Sequence, residues 1–351
     1  MADINVTIIQ EKVPHYRLPL FNQLAKATGI ELTVAHSTPN NLSDSAKFNE
    51  VILKCIKIGK FSFQKGAWNL VSKSDIAVVM FDLRWISILP LLLLSPRKIV
   101  LWGHGFGRNK LAKKIRFLLA KRAAGIVLYE EPAVDEFLKL GYPQDKIYCA
   151  GNTVHIPNAG IIEAPKTQFL FVGRLQIRKR VDLLLKAFAR INNLIPSCCG
   201  ITIVGDGDIS RDLRELANDL EISDKVTFLG EITSDDKLAE IFSQSIAYVS
   251  PGHVGLGVLH SFAYGVPVIT HKSDDHAPEI NNVINDQNGY IYEGSNSDLA
   301  GILQSLVNSP DKVKQLGENA FNHYQNKRSM NKMVERFLTA INTSFTRNNS
   351  K

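Results

Sequence analysis

The stretch YVSPGHVGLGVLHSFAYGVPVIT, residues 248–270, decides the fold. An apolar segment at 246–250 is typical of a short buried strand, and a glycine-rich turn follows at 251–257. A short apolar helix is predicted over 256–264, with Gly265 as its C-cap. A strand, a Gly-rich turn and a helix start in this order predict an anion-binding turn, because the first turn of a helix leaves backbone N–H groups unpaired. An ordinary tight turn of an α/β protein is the alternative.

Strands and helices alternate on both sides of this stretch, which is the pattern of an α/β protein. At 351 residues the chain is longer than one core usually supports, so we expect two domains. An aperiodic segment at 153–167 is predicted to link them. In the first half, 51–58 is predicted to be one strand. The apolar run at 85–94 is predicted to be a helix buried against the sheet, or alternatively a membrane-dipping segment.

The composition is that of an ordinary soluble protein, with 45% hydrophobic and 21% charged residues. Four cysteines are too few for a disulfide framework and match no zinc pattern, so a reduced, cytosolic compartment is expected. The N-terminus lacks the basic region of a signal peptide, and no apolar run is long enough to span a bilayer.

The positive charge lies in one half of the chain. Residues 1–155 hold 21 Lys and Arg against 12 Asp and Glu, whereas residues 156–351 hold 20 against 22. The first half is therefore expected to meet an anionic partner, and nucleic acid, anionic lipid and a phosphorylated substrate are all candidates.

A basic segment at 108–122 has seven basic residues and no acidic one. Leu111, Ile115, Leu118 and Leu119 line one helical face of it. A basic amphipathic helix of this kind can lie on an anionic membrane surface, and a helix with a solvated basic face is the alternative. Nucleic-acid binding is not expected, since no recognition motif or interleaved aromatic residues accompany the charge.

Two strand ends carry residues suited to a ligand. In the first half, the strand at 98–102 ends in Gly103-His104-Gly105, at the position where α/β ligand crevices form, so His104 is either functional or structural. In the second half, Arg174 follows the strand at 168–172 and Lys179 comes five residues later. Such cations suit a diphosphate.

Gly205-Asp206-Gly207 ends the next strand, where a base or a sugar could lie on the backbone. Together with the Gly255/Gly257 turn and the cations before it, this favours a nucleotide diphosphate as the ligand.

The chain resembles a known family at this point. The pieces GRLQIRKRVDLLLKAF (173–188), IVGDG (203–207), VTFLGEI (226–232), SPGHVGLGVLHSFAYGVPVI (250–269) and APEI (277–280) come in the order and spacing of the C-terminal domain of glycosyltransferase family 4. The first half is similar to the acceptor domain of that family more loosely, through VPHYRLPLF (13–21) and LWGHGFG (101–107).

The resemblance implies an α/β protein of the GT-B fold: two Rossmann-like domains facing each other across a cleft, and a C-terminal helix that crosses back to the N-terminal domain. The implied parts are an acceptor domain at 1–155, a nucleotide-sugar domain at 165–325 and a crossover helix with a tail at 326–351. It also implies retaining transfer from a nucleotide-diphosphate sugar with no cofactor and no metal.

The family's site residues carry over by position. Arg174 and Lys179 match the pair of cations that neutralises the donor diphosphate. This pair takes the place of a metal ion as the leaving group gains charge. His104 matches the catalytic His that reaches the donor sugar. The remaining predicted donor residues are Gly205, Gly255, Leu256, Gly257, His260 and Glu279, and those on the acceptor side are His15, Tyr16 and Arg17.

The chain departs from the family pattern in two places. The family has two glutamates eight positions apart, and here these positions hold Gly252 and His260. His260 can still bind ribose hydroxyls as a donor or acceptor, and Glu279, Asp274 and Asp275 are candidates to replace the first carboxylate. Arg180 also stands where the family usually has Gly.

The resulting hypothesis is a glycosyltransferase of bacterial surface polysaccharide or lipopolysaccharide synthesis. It would use a saccharide or lipid-linked acceptor, with the basic first half on the inner, cytoplasmic face of the plasma membrane. A catalytically inactive nucleotide-sugar-binding protein and an epimerase of UDP-sugars are the alternatives. A dehydrogenase is disfavoured, because Gln10-Glu11-Lys12 stands where G-x-G-x-x-G would follow the first strand. The sugar, the base, the acceptor and the linkage position are not specified by the sequence.

Overall fold

A computed structural model describes residues 3–38, 45–107, 109–273 and 275–350. Arg108 of the basic segment and Asp274 of the loop after the glycine-rich stretch lie outside these residues. The chain divides into two compact units. Unit 1 comprises Met1–His155 and Met330–Lys351, and unit 2 comprises Ile156–Ser329.

Unit 1 is built on a seven-stranded parallel sheet with the order β3-β2-β1-β6-β7-β8-β9. The central strands are apolar without alternation because helices cover both faces of the sheet. The strands of the sheet are β1 (Ile4–Ile9), β2 (Ile30–His36), β3 (Asn49–Ile52), β6 (Ile76–Met80), β7 (Ile99–Gly103), β8 (Gly125–Leu128) and β9 (Ile147–Cys149), and an antiparallel hairpin consists of β4 (Lys54–Ile58) and β5 (Phe61–Lys65). The helices are α1 (Leu18–Ala25), α2 (Ala67–Lys73), α3 (Ile88–Leu94), α4 (Lys110–Arg122) and α5 (Glu131–Lys139).

The prediction of a single strand over 51–58 is wrong. β3 ends at Ile52 and pairs with β2 in the sheet, whereas β4 leaves the sheet and pairs with β5. The cause is a two-residue hairpin turn between Ile58 and Phe61, in which Gly59 takes a positive φ of 57°. The alternating pattern of 51–58 fits both a single strand in the sheet and a sheet strand followed by a hairpin strand. Only the strands with which the segment pairs distinguish the two.

The prediction of a helix buried over 85–94 is also corrected. α3 begins at Ile88 and buries Ile88, Leu91 and Leu92, but Leu89, Leu93 and Leu94 are exposed. A single helix turns only one face to the sheet, so a run that is apolar all round leaves its other face uncovered.

Unit 2 is built on a six-stranded parallel sheet with the order β12-β11-β10-β13-β14-β15. Its strands are β10 (Gln168–Val172), β11 (Gly200–Val204), β12 (Val226–Gly230), β13 (Ser245–Ser250), β14 (Val268–His271) and β15 (Gly289–Tyr292). Its helices are α6 (Val181–Ile191), α7 (Ser210–Asp219), α8 (Asp235–Ser243), α9 (Gly257–Ala263), α10 (Asn296–Val307) and α11 (Pro310–His323). Because β10 lies between β11 and β13, the carboxyl ends of these three strands are neighbours.

The last helix, α12 (Met330–Asn349), belongs to unit 1 although it follows unit 2 in the chain. Its buried face includes Met333, Phe337 and Ile341, and the Phe337 ring lies edge-on to Trp102 of β7 with 4.8 Å between ring centroids. The predicted return of the C-terminal helix to the N-terminal domain is therefore confirmed.

Candidate functional site

Gly173 follows β10 and Gly205 follows β11, and the backbones of these two glycines are in close contact. Gly205 has a φ of 127°, and its N–H donates to the carbonyl of Gly230, the last residue of β12, at 2.7 Å. A Cβ at this position would lie 2.0 Å from the carbonyl oxygen of Gly173. Gly205 is thus required by backbone packing, and its predicted contact with the donor stays a prediction.

Gly252 explains the missing glutamate. Its N–H donates to the carbonyl of Lys179 at 3.0 Å, and the N–H of His253 donates to the carbonyl of Arg178 at 2.9 Å. A Cβ on Gly252 would lie 2.1 Å from the carbonyl oxygen of Arg178. Position 252 is where the family has its first glutamate. In this conformation no side chain fits there, because the backbone of 252–253 is hydrogen-bonded directly to the backbone of 178–179.

Lys179 lies against the glycine-rich turn. Its Nζ donates to the carbonyl oxygen of His253 at 2.6 Å, across 74 positions of sequence. Burial, together with the neighbouring positive charge of Arg178, lowers the pKa of Lys179 to about 8. Arg174 is exposed, and among the described residues it makes no hydrogen bond or ion pair. The structure therefore places Lys179 on the turn, and the predicted contact of Arg174 with the donor stays a prediction.

The turn itself offers backbone donors. Within the described ranges, the N–H groups of Gly255, Leu256 and Gly257 donate to no protein acceptor. A Cβ at Gly255 would meet open space, whereas one at Gly257 would lie 2.6 Å from the hydroxyl of Tyr248. Gly257 is consequently needed for packing beneath the turn, and Gly255 is the glycine on its open side.

A histidine that the sequence analysis missed braces this turn. The N–H of Val254 donates to Nδ1 of His276 at 3.2 Å, so Nδ1 must carry a lone pair. Nε2 of the same ring then holds the proton and donates to the carbonyl of His271 at 2.6 Å. The N–H of Ala277 also donates to the carbonyl of Val254 at 3.3 Å. No periodic pattern marks His276, because its role depends on a contact 22 residues away.

The two remaining predicted donor residues are partly or wholly enclosed. His260 lies on α9 and is half-buried, and its burial lowers its pKa although Asp235 opposes the shift. Glu279 is buried in a short 3-10 helix, Pro278–Asn282. Their predicted contacts with the donor stay predictions.

His104 of unit 1 is exposed just after β7, with its ring centroid 4.7 Å from that of Tyr129. Its carbonyl accepts a 3.0 Å hydrogen bond from Arg116, which also donates to the carbonyl of Phe81 at 2.8 Å. Burial lowers the pKa of Arg116. This residue of the basic segment therefore holds the two strand ends together, which the charge pattern did not reveal.

The three acceptor-side residues separate into two kinds. His15 and Tyr16 are exposed, whereas Arg17 is buried. The guanidinium of Arg17 donates to Asn152 at 2.8 Å and lies over the ring of Trp102, 4.8 Å from its centroid. These contacts hold Arg17 in the core of unit 1, and its predicted contact with the acceptor stays a prediction.

In the described ranges given above, no helix has the length and apolarity needed to cross a bilayer. The same ranges also contain no group of three or more His, Cys, Asp and Glu placed to hold a metal ion, and metal independence stays a prediction.

Comparison with known proteins shows what the segment that carries this turn is similar to. The family model described as Glycosyl transferases group 1 matches residues 156–323. Over 159 residues the chain is 36% identical to alpha-monoglucosyldiacylglycerol synthase of Streptococcus pneumoniae. This match covers 43% of this chain and 34% of the synthase. The chain thus spans about a third of the length of this relative.

Solved structures share the fold of the whole chain. A glycosyltransferase from Rickettsia africae has a TM-score of 0.73 at 15% identity, covering 97% of this chain and 98% of the other. HepE of Anabaena, solved in complex with UDP, has a TM-score of 0.68 at 14% identity, and the match covers 97% of this chain and 100% of the HepE chain. The predicted GT-B fold, with two Rossmann-like units, is confirmed, and residues 156–323 match the family model of group 1 glycosyl transferases.

Proposed function

We propose that the chain is a retaining, metal-independent glycosyltransferase that takes a sugar from a nucleotide-diphosphate donor. The observation that carries the proposal is the bond from Lys179 to the carbonyl of His253 in the glycine-rich turn, which among the described residues also has three backbone N–H groups without protein acceptors. A diphosphate has the charge and the acceptor oxygens that this arrangement requires. Fixed positive charge there would also stabilise the departing nucleoside diphosphate.

The relatives support the reaction class. The synthase of Streptococcus pneumoniae is named for glucosyl transfer to a diacylglycerol, and HepE binds UDP. We infer a saccharide or lipid-linked acceptor and a role in bacterial surface polysaccharide synthesis. His104 is our candidate for the catalytic residue near the donor sugar, and His15 and Tyr16 are candidates for contact with the acceptor.

The test is binding of UDP and GDP by calorimetry, followed by hydrolysis of UDP- and GDP-sugars by the full chain. Lys179→Met keeps the aliphatic stem but removes the charge, so we expect nucleotide affinity to fall by about tenfold or more. Lys186→Met is the matched control, since Lys186 is an exposed lysine of the same unit that pairs with Asp182. Equal affinity in wild type, Lys179→Met and Lys186→Met would contradict the proposal.

One observation favours a second candidate, a nucleotide-sugar-binding protein without catalysis. The close approach of the Gly252 and Arg178 backbones leaves no room for the carboxylate that the family has at this position. Binding of the nucleotide-sugar without donor hydrolysis or transfer would support this candidate. Hydrolysis that His104→Ala abolishes, with donor affinity unchanged, would support the transferase.

We also propose that unit 1 attaches to an anionic membrane surface through α3 and α4. On α4, Leu111, Ile115 and Leu118 are 68%, 41% and 64% exposed, and Lys110, Lys114 and Lys121 of the same helix are also exposed. The C-terminal end of α4 meets α3, whose Leu89, Leu93 and Leu94 are also exposed, because Arg122 donates to the carbonyl of Leu92 at 3.5 Å. Apolar insertion and about 1 kcal/mol for each charge near the surface would together give reversible attachment.

Sedimentation with vesicles tests this attachment. The full chain should sediment with phosphatidylglycerol vesicles and not with phosphatidylcholine vesicles, and a double variant Leu111→Gln/Leu118→Gln should stay in solution. Leu194→Gln is the control, because Leu194 is 61% exposed on unit 2. Equal sedimentation of all variants would contradict the surface, and its location on the inner face of the plasma membrane stays a prediction.

A further inference from the structure

A cavity of about 500 Å³ lies beside the same turn but is lined by a different set of side chains. Arg178, Arg180, His253, His271 and Tyr292 contribute to its wall. Among the described residues, its lining includes none of the predicted donor residues Arg174, Lys179, Gly205, Gly255, Leu256, Gly257, His260 and Glu279. Its volume falls in the range of about 300 to 1,000 Å³ that is typical of small-molecule sites.

Two guanidinium groups line this cavity. Arg178 uses its Nε to donate to Gln176 at 3.1 Å, and Arg180 uses its Nε to donate to Asp182 at 3.1 Å. Arg180 also donates from Nη2 to the second oxygen of Asp182 at 3.4 Å, so it is ion-paired, whereas the bond of Arg178 uses one of its five N–H donors. Among the described residues of the lining, Asp275 is the carboxylate and is exposed at the rim.

A buried hydroxyl on the same wall lacks a partner. Tyr292 is only 6% exposed, and in the described part of the chain its hydroxyl has no hydrogen-bond partner. Its ring lies edge-on to His271, with 5.1 Å between ring centroids. An unpaired buried hydroxyl is costly, and because the oxygen atom itself is buried, an acceptor atom of a ligand would pair with it only if the ring shifts toward the cavity.

The start of α10 also lines the cavity, through Gly294, Ser295 and Asn296. Its N-terminus carries partial positive charge, but a capping box already occupies it, in which the Asp298 carboxylate accepts from the N–H of Ser295 at 2.6 Å. The helix therefore adds little to the positive potential of the cavity.

We propose that this cavity binds a phosphate group carried on a small molecule of about sugar-phosphate size. Guanidinium groups bind phosphate bidentately, and histidine and tyrosine side chains supply further donors. The phosphate group belongs either to a free sugar phosphate or to inorganic phosphate, which the experiment below separates. Gly252 and Asp275 of the lining are also the position of the family's first glutamate and a candidate replacement for it, so the cavity adjoins the donor site, but binding there does not require the proposed function.

Occupation of the cavity is linked to the donor turn through the backbone. The carbonyl of Arg178 accepts from the N–H of His253, while the Nζ of Lys179 donates to the carbonyl of His253. A phosphate held by Arg178 and His253 would therefore fix the residue that Lys179 also contacts. We expect it to change the affinity for a nucleoside diphosphate, and reciprocally.

The experiment is calorimetric titration of the full chain with glucose 1-phosphate and, separately, with inorganic phosphate, at constant ionic strength. We expect Arg178→Gln and Arg180→Gln each to weaken binding by about tenfold. Arg211→Gln removes an exposed charge of the same unit outside the lining, and it should leave the affinity within about twofold of wild type. Tyr292→Phe should weaken binding at unchanged charge.

Lys179→Met separates this site from the donor site. It should leave glucose 1-phosphate binding intact and weaken UDP and GDP, so failure of one proposal is distinguishable from failure of the other. Tighter binding of glucose 1-phosphate than of phosphate identifies a sugar phosphate as the occupant, and equal binding identifies phosphate alone. The proposal is overturned if neither probe binds, if Arg178→Gln and Arg180→Gln bind like Arg211→Gln, or if Lys179→Met abolishes binding of both probes.

Discussion

The Nζ atom of Lys179 lies 2.6 Å from the carbonyl oxygen of His253. This bond joins the loop after β10 to the loop after β13, and two backbone bonds between 178–179 and 252–253 run beside it. The only charge in this group of bonds is an ammonium that is half-buried on a turn with unpaired N–H groups. The donor site proposed for unit 2 depends on that arrangement.

The pH dependence of nucleotide binding follows from this burial. Because burial lowers the pKa of Lys179 to about 8, its charge is present below that pH and is lost as the pH rises through it. Affinity for UDP or GDP should be flat well below pH 8 and then fall by up to about tenfold per pH unit. A guanidinium stays charged in this range, so Lys179→Arg should extend the flat region. Identical pH profiles for the two proteins would exclude Lys179 as the titrating group.

Substitutions of Gly255 and Gly257 should differ in their effect on stability. Gly257→Ala places a methyl group against the Tyr248 hydroxyl, and we expect it to lower the free energy of unfolding by about 1–3 kcal/mol. Gly255→Ala points into open space and should change it by less than about 0.5 kcal/mol. In a double-mutant cycle measured by urea denaturation, Tyr248→Phe should recover part of the Gly257→Ala loss. Additive effects of the two substitutions would refute the contact.

Arg180 is held in a left-handed conformation, with φ 51° and ψ 39°, just before α6. A residue with a Cβ is strained there by about 1–2 kcal/mol, so Arg180→Gly should raise the free energy of unfolding. Arg180→Ala is the matched control, because it also loses the exposed pair with Asp182 but keeps the strain. We expect the glycine variant to exceed the alanine variant by about 1 kcal/mol in urea denaturation; equal stabilities would show that no strain is stored.

His276 should control the order of the turn through one hydrogen bond. His276→Ala leaves the N–H of Val254 without its acceptor, so we expect faster hydrogen exchange at that amide and weaker nucleotide binding, by about fivefold to tenfold. His276→Asn can present an oxygen near the position of Nδ1 and should restore slow exchange. If Val254 exchanges equally slowly in all three proteins, the brace does not act through this bond.

Much of unit 2 could be predicted from the sequence, since the strand, the turn and the helix of 248–270 are contiguous. The structure has β13, a turn, α9 and a Gly265 with φ 67° in that order. The segment at 51–58 could not be assigned in the same way, because one alternating pattern fits a strand in either partner arrangement. Burial of 85–94 could not be predicted fully either, because an apolar run does not specify how much of it the neighbouring elements cover.

The sequence by itself determined the α/β class and the succession of strand, turn and helix at 248–270. Each of these depends on residues that are near one another in the chain. The tertiary structure decided that Gly252 is locked against Arg178, that Arg17 and Arg116 serve packing, and that His276 braces Val254. These roles arise from contacts between segments distant in sequence, and the free energy of such contacts depends on geometry that no local pattern encodes.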